Sequence, residues 1–389
     1  MTNTRTSLQA RFWLTIIAAC CIIGLANPST AMDWKLFKDS DDGAVDLSDW
    51  LMTKGGFMPV PIIITEPAVG TGLGLAAVFF HGQFIGKPNP NKPGQQLPPS
   101  MTIAAGAYTE NGTWMAGGGH VGHWKQDSIR YTGFIGVMNA NLDFYVGDQP
   151  IAFNIDGGFL LQQIKFRLGK TNFFIGGKWI YFDSTSKLRG FEEIWPPDWP
   201  ELPLINGRDS SNSGLGALAY YDGRDNVFTP DKGQEANLEL LRYDTAIGGD
   251  FDYWYLAAQV ISFHQLHERF NLGLRADGEA VDGDVPFYGY PFVQLRGVPA
   301  MRYQDERVLS LEVEGRWRVY KRWSLIGFVG KGLTDGDIPR FDTEENIVTY
   351  GGGFRYLIAR KFNMHVGVDV ARGPEDTAFY LQMGHAWSK

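Results

Sequence analysis

Few side chains in this sequence are spaced for bond-making chemistry. His120-Val121-Gly122-His123 and His264-Gln265-Leu266-His267 each separate two imidazoles by three positions. On a strand that spacing puts the pair on opposite faces, which makes a poor chelate. There is no Gly-x-Ser-x-Gly, and His120, His123, His264, His267, His365 and His385 form no nucleophile set with a serine and a carboxylate. The chain is therefore expected to have no catalytic residues, no metal and no cofactor. The charges that stand out instead are Arg275, Glu312, Glu314, Arg316 and Arg318, each flanked on both sides by uncharged residues.

Those charges belong to strands. From Ser310 to Val319 the residues Leu311, Val313, Gly315, Trp317 and Val319 alternate with Ser310, Glu312, Glu314, Arg316 and Arg318. One face of such a strand is apolar and the other charged, because strand side chains point to opposite sides with a period of two. The rhythm recurs at Phe270 to Asp277 and at Phe362 to Val370. Many such strands in one long chain suggest a closed barrel with lipid outside and water inside. Beyond residue 26 no apolar run reaches the roughly 18 residues of a membrane helix, so a spanning chain must span with strands. Hydrophobic residues make up 44%, while 48 glycines and 14% aromatics are high for a globular chain. A net charge of −8 argues against a nucleic-acid partner.

The N-terminus reads as a secretory signal over residues 1–31. Arg5 and Arg11 supply the positive region, Phe12 to Leu25 the apolar core, and Ser29-Thr30-Ala31 a small-x-small cleavage site. Cleavage there removes Cys20 and Cys21 and leaves a mature chain without a thiol. Ile17-Ala18-Ala19-Cys20 also fits a lipoprotein processing site, although the apolar run continues past it to Leu25. Either route exports the chain. Residues 32–61 are too few for a core of their own and read as a periplasmic tether or plug; residues 62–389 read as the barrel.

Sixteen strands are expected, beginning near Thr71, Met101, Gly112, Ser128, Leu142, Ala152, Asn172, Ser213, Gln234, Asp252, Glu268, Glu306, Arg322, Asn346, Lys361 and Thr377. Most have the ten or so residues that a tilted membrane strand needs. The fold class is thus all-β: a 16-stranded antiparallel transmembrane β-barrel with both termini in the periplasm. Short turns at 110–112, 169–171, 320–322 and 359–361 are expected to face the periplasm, and longer loops at 82–100, 184–212, 281–305 and 333–345 the exterior. Trp114, Trp124, Trp179, Tyr181, Trp254, Tyr255, Tyr350, Tyr356 and Trp387 fall near strand ends, as in an interfacial aromatic girdle.

Three segments carry a resemblance. The stretch Tyr221 to Gly233, with Asp222, Arg224, Asp225, Pro230 and Gly233, resembles the Asp-x-Arg-Asn/Asp…Pro-x-x-Gly periplasmic turn of the BamA/TamA and two-partner-secretion transporter superfamily, the bacterial surface antigen family. Leu295-Arg296-Gly297-Val298-Pro299 is similar to its (Val/Ile/Leu)-Arg-Gly-(Tyr/Phe) motif. The final strand, with Phe379 and Leu381 and ending near Trp387, looks like its C-terminal assembly signal. The resemblance implies that an extracellular loop folds inward and that Arg296 pairs with wall carboxylates, for which Glu312 and Glu314 are the candidates. Two positions depart from the pattern. Phe328-Val329-Gly330-Lys331-Gly332 lacks the acid expected in Phe-x-Asp-x-Gly, and Val298 stands where an aromatic is usual. Residues 32–61 cannot hold one of the family's polypeptide-transport-associated domains, so none is expected here.

By the same resemblance, the expected role is insertion or translocation of proteins or lipids at the bacterial outer membrane. The partners would be outer-membrane lipid, unfolded outer-membrane protein or lipid clients, and a separate periplasmic partner. A weak seam between first and last strands would serve that role, and Gly72, Gly74 and Gly82 on the expected first strand would weaken pairing; the same glycines could equally relieve crowding against the lumen loop. A passive or gated solute pore, tuned by Arg275, Glu312, Arg316 and Arg318, is the alternative. An outer-membrane enzyme is the third and has the thinnest support.

Overall fold

The computed structural model describes residues 34–53, 57–81, 99–146, 149–190, 207–336 and 347–387. The signal segment 1–31, with Cys20 and Cys21, lies outside them. Residues 34–45 belong to a small unit of their own, with a 3-10 turn at Trp34–Phe37 and a Lys38–Val45 bridge closed by the Asp39 N–H on the Ala44 carbonyl at 2.9 Å.

The second unit holds sixteen antiparallel strands, each paired with the next in chain order to form a nearly closed barrel. They are β1 (Phe57–Ile64), β2 (Gly72–His81), β3 (Ser100–Thr109), β4 (Trp114–Trp124), β5 (Ile129–Val146), β6 (Gln149–Arg167), β7 (Phe173–Leu188) and β8 (Arg208–Asp222). After them come β9 (Gly233–Tyr243), β10 (Tyr253–His267), β11 (Phe270–Gly283), β12 (Arg307–Tyr320), β13 (Trp323–Asp335), β14 (Ile347–Ala359), β15 (Met364–Arg372) and β16 (Thr377–Met383). A short helix, α1 (Ser48–Thr53), precedes them. The even count puts both ends of the sheet at one rim, the periplasmic one in bacterial barrels.

The expected number of strands is correct through two compensating departures. The sheet begins at Phe57, so the boundary at 62 cuts through β1, and the strand expected from Thr71 is the second. The strands expected at Ser128 and Leu142 are one, β5, because its ladder to β6 runs without interruption from Ile129↔Phe166 to Val146↔Gln149. Two prolines in β1 and the polar Asn139-Ala140-Asn141 inside β5 hid these elements from a reading based on composition. The extra first strand reverses the expected sides of two connections. The strand ends joined by 82–99 sit at the periplasmic rim, and the 110–113 turn sits at the extracellular one. From β6 onward the expected sides hold. Residues 82–98, 191–206 and 337–346, within three of the long loops, lie outside the described residues.

The outer wall is apolar. Leu73, Leu75, Ile135, Val137, Leu238, Leu240, Leu256, Val260, Leu311, Val313, Leu325, Val329, Phe379 and Leu381 are all exposed. In water such a surface would be a liability, and in a bilayer it is the required one. On the opposite face, Ser310 and Glu312 of β12, Ser324 of β13, Arg355 of β14 and Asp369 of β15 are buried inside. Among the described residues no helix is long and apolar enough to cross a membrane. Trp114, Trp124, Trp179, Trp254 and Tyr350 do stand exposed on the outside. Tyr255 does not, because its neighbour Trp254 takes the outward face, and Trp387 is buried at 6% exposure.

Periplasmic connections are packed rather than loose. Asp46 accepts from Arg322 Nη1 at 2.7 Å and from the Arg360 N–H at 3.0 Å, while Ser48 N–H donates back to it at 2.6 Å. Burial raises the Asp46 carboxyl, but the hydrogen bonds from Ser48, Arg360 and Arg322 outweigh it and hold the pKa below the usual carboxylate value. Leu51 of α1 joins Ala359, Phe362 and Met364 in a small apolar cluster. The segment just ahead of β1 is thus moored to the β12–β13 and β14–β15 turns.

Candidate lumen lock and open seam

The β11–β12 connection, 284–306, is held by an internal bridge between Phe292 and Gln304 and by the Val293 N–H on the Tyr303 carbonyl at 2.9 Å. Its apolar residues Val293, Leu295, Val298 and Tyr303 form one buried cluster with Val308 and Ile347 of the wall. Leu295 fits because position 330 is glycine: a Cβ there would stand 2.9 Å from the Leu295 side chain. The residue that breaks the expected Phe-x-Asp-x-Gly pattern therefore makes room for the motif's own leucine.

Arg296 follows, 8% exposed. Its Nη2 lies 2.5 Å from Glu312 and 2.8 Å from Glu314, both on β12, and its Nη1 lies 2.7 Å from Asp369 on β15. The guanidinium carbon is 3.5 Å from the centre of the Phe328 ring. Asp369 is also gripped by Arg355, with contacts of 2.5 and 2.7 Å to its two oxygens. The acid missing at Gly330 is thus replaced by one two strands away, which the pattern of β13 alone could not reveal. Three carboxylates against two guanidiniums leave excess negative charge, and each acceptor needs further donors at such burial.

One such donor is the indole of Trp387, whose Nε1 lies 2.5 Å from the same Glu312 oxygen that Arg296 uses. The expected position of Trp387 at the end of the last strand is corrected here: β16 stops at Met383, and Gly384 turns the chain inward with φ +83. The tail is fixed by the Gly384 N–H on His365 O and the His385 N–H on Phe228 O, both 2.8 Å. Trp387 packs with Ile261 and Phe263, over Gly273, where a Cβ would come within 2.7 Å of the indole. Phe379 and Leu381 stay on the lipid-facing side of β16. A buried glutamate on β12 and a backbone glycine on β11 were signals in the sequence, but nothing local linked them to residue 387.

The remaining loop contacts reach round the extracellular rim. Gly297 N–H donates to Tyr380 of β16 at 2.9 Å, and Ala300 N–H to Glu66 of the β1–β2 turn at 3.1 Å. Burial pushes the Glu66 carboxyl up against the pull of the Ala300 and Ala68 N–H groups. Arg302 pairs with Glu375 at 2.5 Å and stacks over Tyr145 at 4.4 Å. Pro299 carbonyl accepts from Arg302 N–H at 3.3 Å.

At the periplasmic rim the β8–β9 turn is equally committed. Asp222 bonds Arg130 at 3.0 Å and Arg224 at 3.1 Å, and Arg224 reaches Glu235 at 2.6 Å. Asp225 caps the turn by accepting the Asp231 N–H at 3.0 Å, and Asp231 in turn binds Arg316 of β12. Pro230 carbonyl also accepts from Arg316, and Gly233 adopts φ +104, with Gly223 O 2.2 Å from where its Cβ would be. Asn226 Nδ2 donates to the Phe362 carbonyl at 2.9 Å, so this turn meets the β14–β15 turn. The five motif residues come together, and the acids and arginines serve the fold. Among the described residues no three His, Cys, Asp or Glu side chains are grouped to hold a metal.

The seam contrasts with all this. Pairing runs from β1 to β16, and among the described residues no ladder joins β16 back to β1. Pro59 and Pro61 of β1 lie opposite Ala77 and Leu75 of β2. A proline has no N–H, so an antiparallel ladder tolerates it only where that N would point away from the partner. Both share one parity, and both therefore remove donors from the edge that would meet β16. The glycines expected to weaken the first strand, Gly72 and Gly74, belong to β2, while Gly82 lies outside the described residues.

No protein-family model matches this chain, and no curated protein sequence does. Its backbone is similar to that of BamA from Haemophilus ducreyi lacking POTRA domains 1–3, with TM-score 0.59 and 11% identity over 85% of this chain and 70% of that one. CdiB from Escherichia coli gives TM-score 0.56 at 10% identity, over 83% of this chain and 61% of that one. CdiB from Acinetobacter baumannii gives 0.54 at 9%, over 84% and 59%. The chain thus spans about three-fifths of each CdiB structure. What is shared is the fold, a BamA-like barrel of sixteen strands. With its apolar outer wall and spanning strands, the chain is a bacterial outer-membrane barrel.

Proposed function

We propose that this barrel assists insertion or translocation of protein or lipid at the outer membrane, working through the seam between β1 and β16. The observation that carries the reading is the edge itself: a sheet paired in sequence from β1 to β16, whose first strand has two prolines facing the gap. In this reading 284–306 is an extracellular loop folded into the lumen, Arg296 with Glu312 and Glu314 its lock, and Asp222 to Gly233 a periplasmic turn that braces the opposite rim. Residues 32–56 form a periplasmic lead, exported behind the signal 1–31. The clients are unfolded outer-membrane proteins or lipids, delivered with the help of a separate periplasmic protein.

The same observations disfavour a passive pore. Arg275 is tied to Asp277 at 2.6 Å and to the Gln294 carbonyl at 2.8 Å, Arg316 to Asp231, and Arg318 to the Glu268 carbonyl at 2.9 Å. Charges so committed are not free to tune ion flow.

The test is a set of cysteine pairs walked along 57–64 and 377–383 in cells that depend on this barrel. Oxidation that closes the seam is expected to deplete outer-membrane proteins or shift the lipid profile, and reduction to restore both. Unchanged protein and lipid profiles with the seam demonstrably crosslinked would remove the proposal.

A further inference from the structure

The two rims of the barrel carry opposite charge. Each periplasmic turn from β4 to β15 presents an exposed cation: Lys125, Lys170, Lys232, Arg269, Lys321 and Lys361. At the other rim the exposed groups include Glu110, Asp250, Asp252, Asp335, Glu375 and Asp376. The extracellular rim also has exposed cations, Lys187, Arg189, Arg208, Arg307 and Arg372, but exposed acids outnumber them there, whereas on the periplasmic turns exposed cations outnumber exposed acids.

The periplasmic cations are not spent on ion pairs. Among the described residues Lys125, Lys170, Lys232, Arg269 and Lys321 form no salt bridge, and Lys361 alone pairs, with Asp49 at 2.7 Å. The exposed acids that face them on the same turns are Asp225 and Glu268. Asp225 is engaged in capping its own turn, and the Glu268 carbonyl, not its carboxylate, holds Arg318. Two of the lysines sit where a glycine or asparagine would be less strained: Lys125 has φ 49 and Lys321 φ 43. The turns are short, so these side chains stay within one turn of the strand ends. That is the depth of the headgroups, and Trp124, Tyr320 and Trp323 stand exposed beside them.

We infer that this ring is a binding surface for anionic phospholipid headgroups of the periplasmic leaflet. A protein partner would be met by a patch on one side or at the mouth. Cations distributed turn after turn around the circumference match a ligand that also surrounds the barrel, and lipid does so. The phosphates would sit against the turn cations while the indole and phenol rings below them hold the glycerol level. The acidic opposite rim would exclude the same lipids, which orients the preference. The inference is independent of any client and of the seam.

The experiment places a dye on a single cysteine at either rim, Leu168→Cys beside Lys170 or Tyr108→Cys at the extracellular end, in a chain carrying Cys20→Ser and Cys21→Ser. Each protein is reconstituted with brominated phosphatidylglycerol mixed into phosphatidylcholine, and quenching reports the lipid composition around the dye. At position 168 anionic lipid is expected to be enriched about threefold at low salt and to approach parity at 1 M, where the screening length is about 3 Å. At position 108 no enrichment is expected. Replacing Lys125, Lys170, Lys232 and Lys321 together by Glu should abolish the enrichment at 168, and the salt series on the unaltered rim serves if that variant fails to fold. Parity at position 168 in low salt, equal enrichment at both rims, or enrichment that survives 1 M salt would each overturn the inference. So would lipid parity accompanied by salt-sensitive binding of an acidic protein to the same lysines.

Discussion

The wall between β12 and β15 and the gap between β1 and β16 are built on opposite principles. In the first, Arg296 joins carboxylates from two strands, Arg355 grips one of them twice, and Trp387 supplies a further donor. In the second, β1 and β16 are short, at eight and seven residues, and two of the edge donors are deleted by proline. The loop contacts bridge the two regions at one rim only, through Glu66 and Tyr380. The barrel is thus rigid on the side where the loop docks and weakest where its ends should meet. A difference of this kind does not follow strand propensity, because β1 and β16 are no poorer in β-branched and aromatic residues than β12 to β15; it follows where donors and charges are placed.

The largest break in that contrast should come from Arg296→Ala. It leaves Glu312 and Asp369 buried without their shared cation, and breaking a buried pair in this way costs about 3 to 5 kcal/mol. The variant should lose its folded migration in cold SDS gels at a markedly lower temperature than the parent. Migration and heat resistance unchanged from the parent would mean that Arg296 holds nothing.

Next in size is Trp387→Phe, which keeps the ring over Gly273 but removes the N–H on Glu312. Hydrogen bonds to charged groups are worth about 1.5 to 3 kcal/mol, so melting should shift down by less than for Arg296→Ala. The two effects should also fall short of additivity, since both act on one Glu312 oxygen. Additive losses would argue that tail and loop are independent.

The seam is sharpened from the other side by Pro59→Ala with Pro61→Ala. Restoring two edge donors should stabilise closure by about 0.5 to 1.5 kcal/mol for each bond gained, and should slow whatever passes through the seam. Stability and assembly both unchanged would show that these edge positions do not meet β16.

The smallest effect concerns the mooring at the periplasmic rim. Asp46 has its carboxyl pKa lowered in the folded chain, so its contribution is complete above the unfolded value of about 3.9 and is lost as pH falls through the folded value. Asp46→Asn should therefore be less stable than the parent at neutral pH and should lose less on acidification to pH 3. Parallel pH profiles for the two proteins would discount the mooring.

How much of this was legible in the sequence varies with the range of the interaction. Alternation in β12 gave the inward face of Glu312 and Glu314 directly, since period two is a local property. The Leu295-Arg296-Gly297 stretch drew attention by resemblance, and the Arg296 guanidinium lies against Glu312 and Glu314. Asp369 was hidden, because a partner two strands away leaves no mark on β13, where only the substitution of Gly330 could be seen. Trp387 was misassigned to the outer girdle because one left-handed glycine, Gly384, decides whether the tail continues the strand or turns inward. β1 was overlooked for a related reason: Pro59 and Pro61 argue against a central strand, and only at an edge are they permitted.

Amide hydrogen exchange of the folded barrel, read strand by strand in bilayer nanodiscs, tests the contrast most directly. The account requires the amides of β1 and β16 to exchange at least about tenfold faster than those of β12 to β15, since edges without a ladder open locally. Uniform protection around the ring, with β1 as slow as β13, would contradict it.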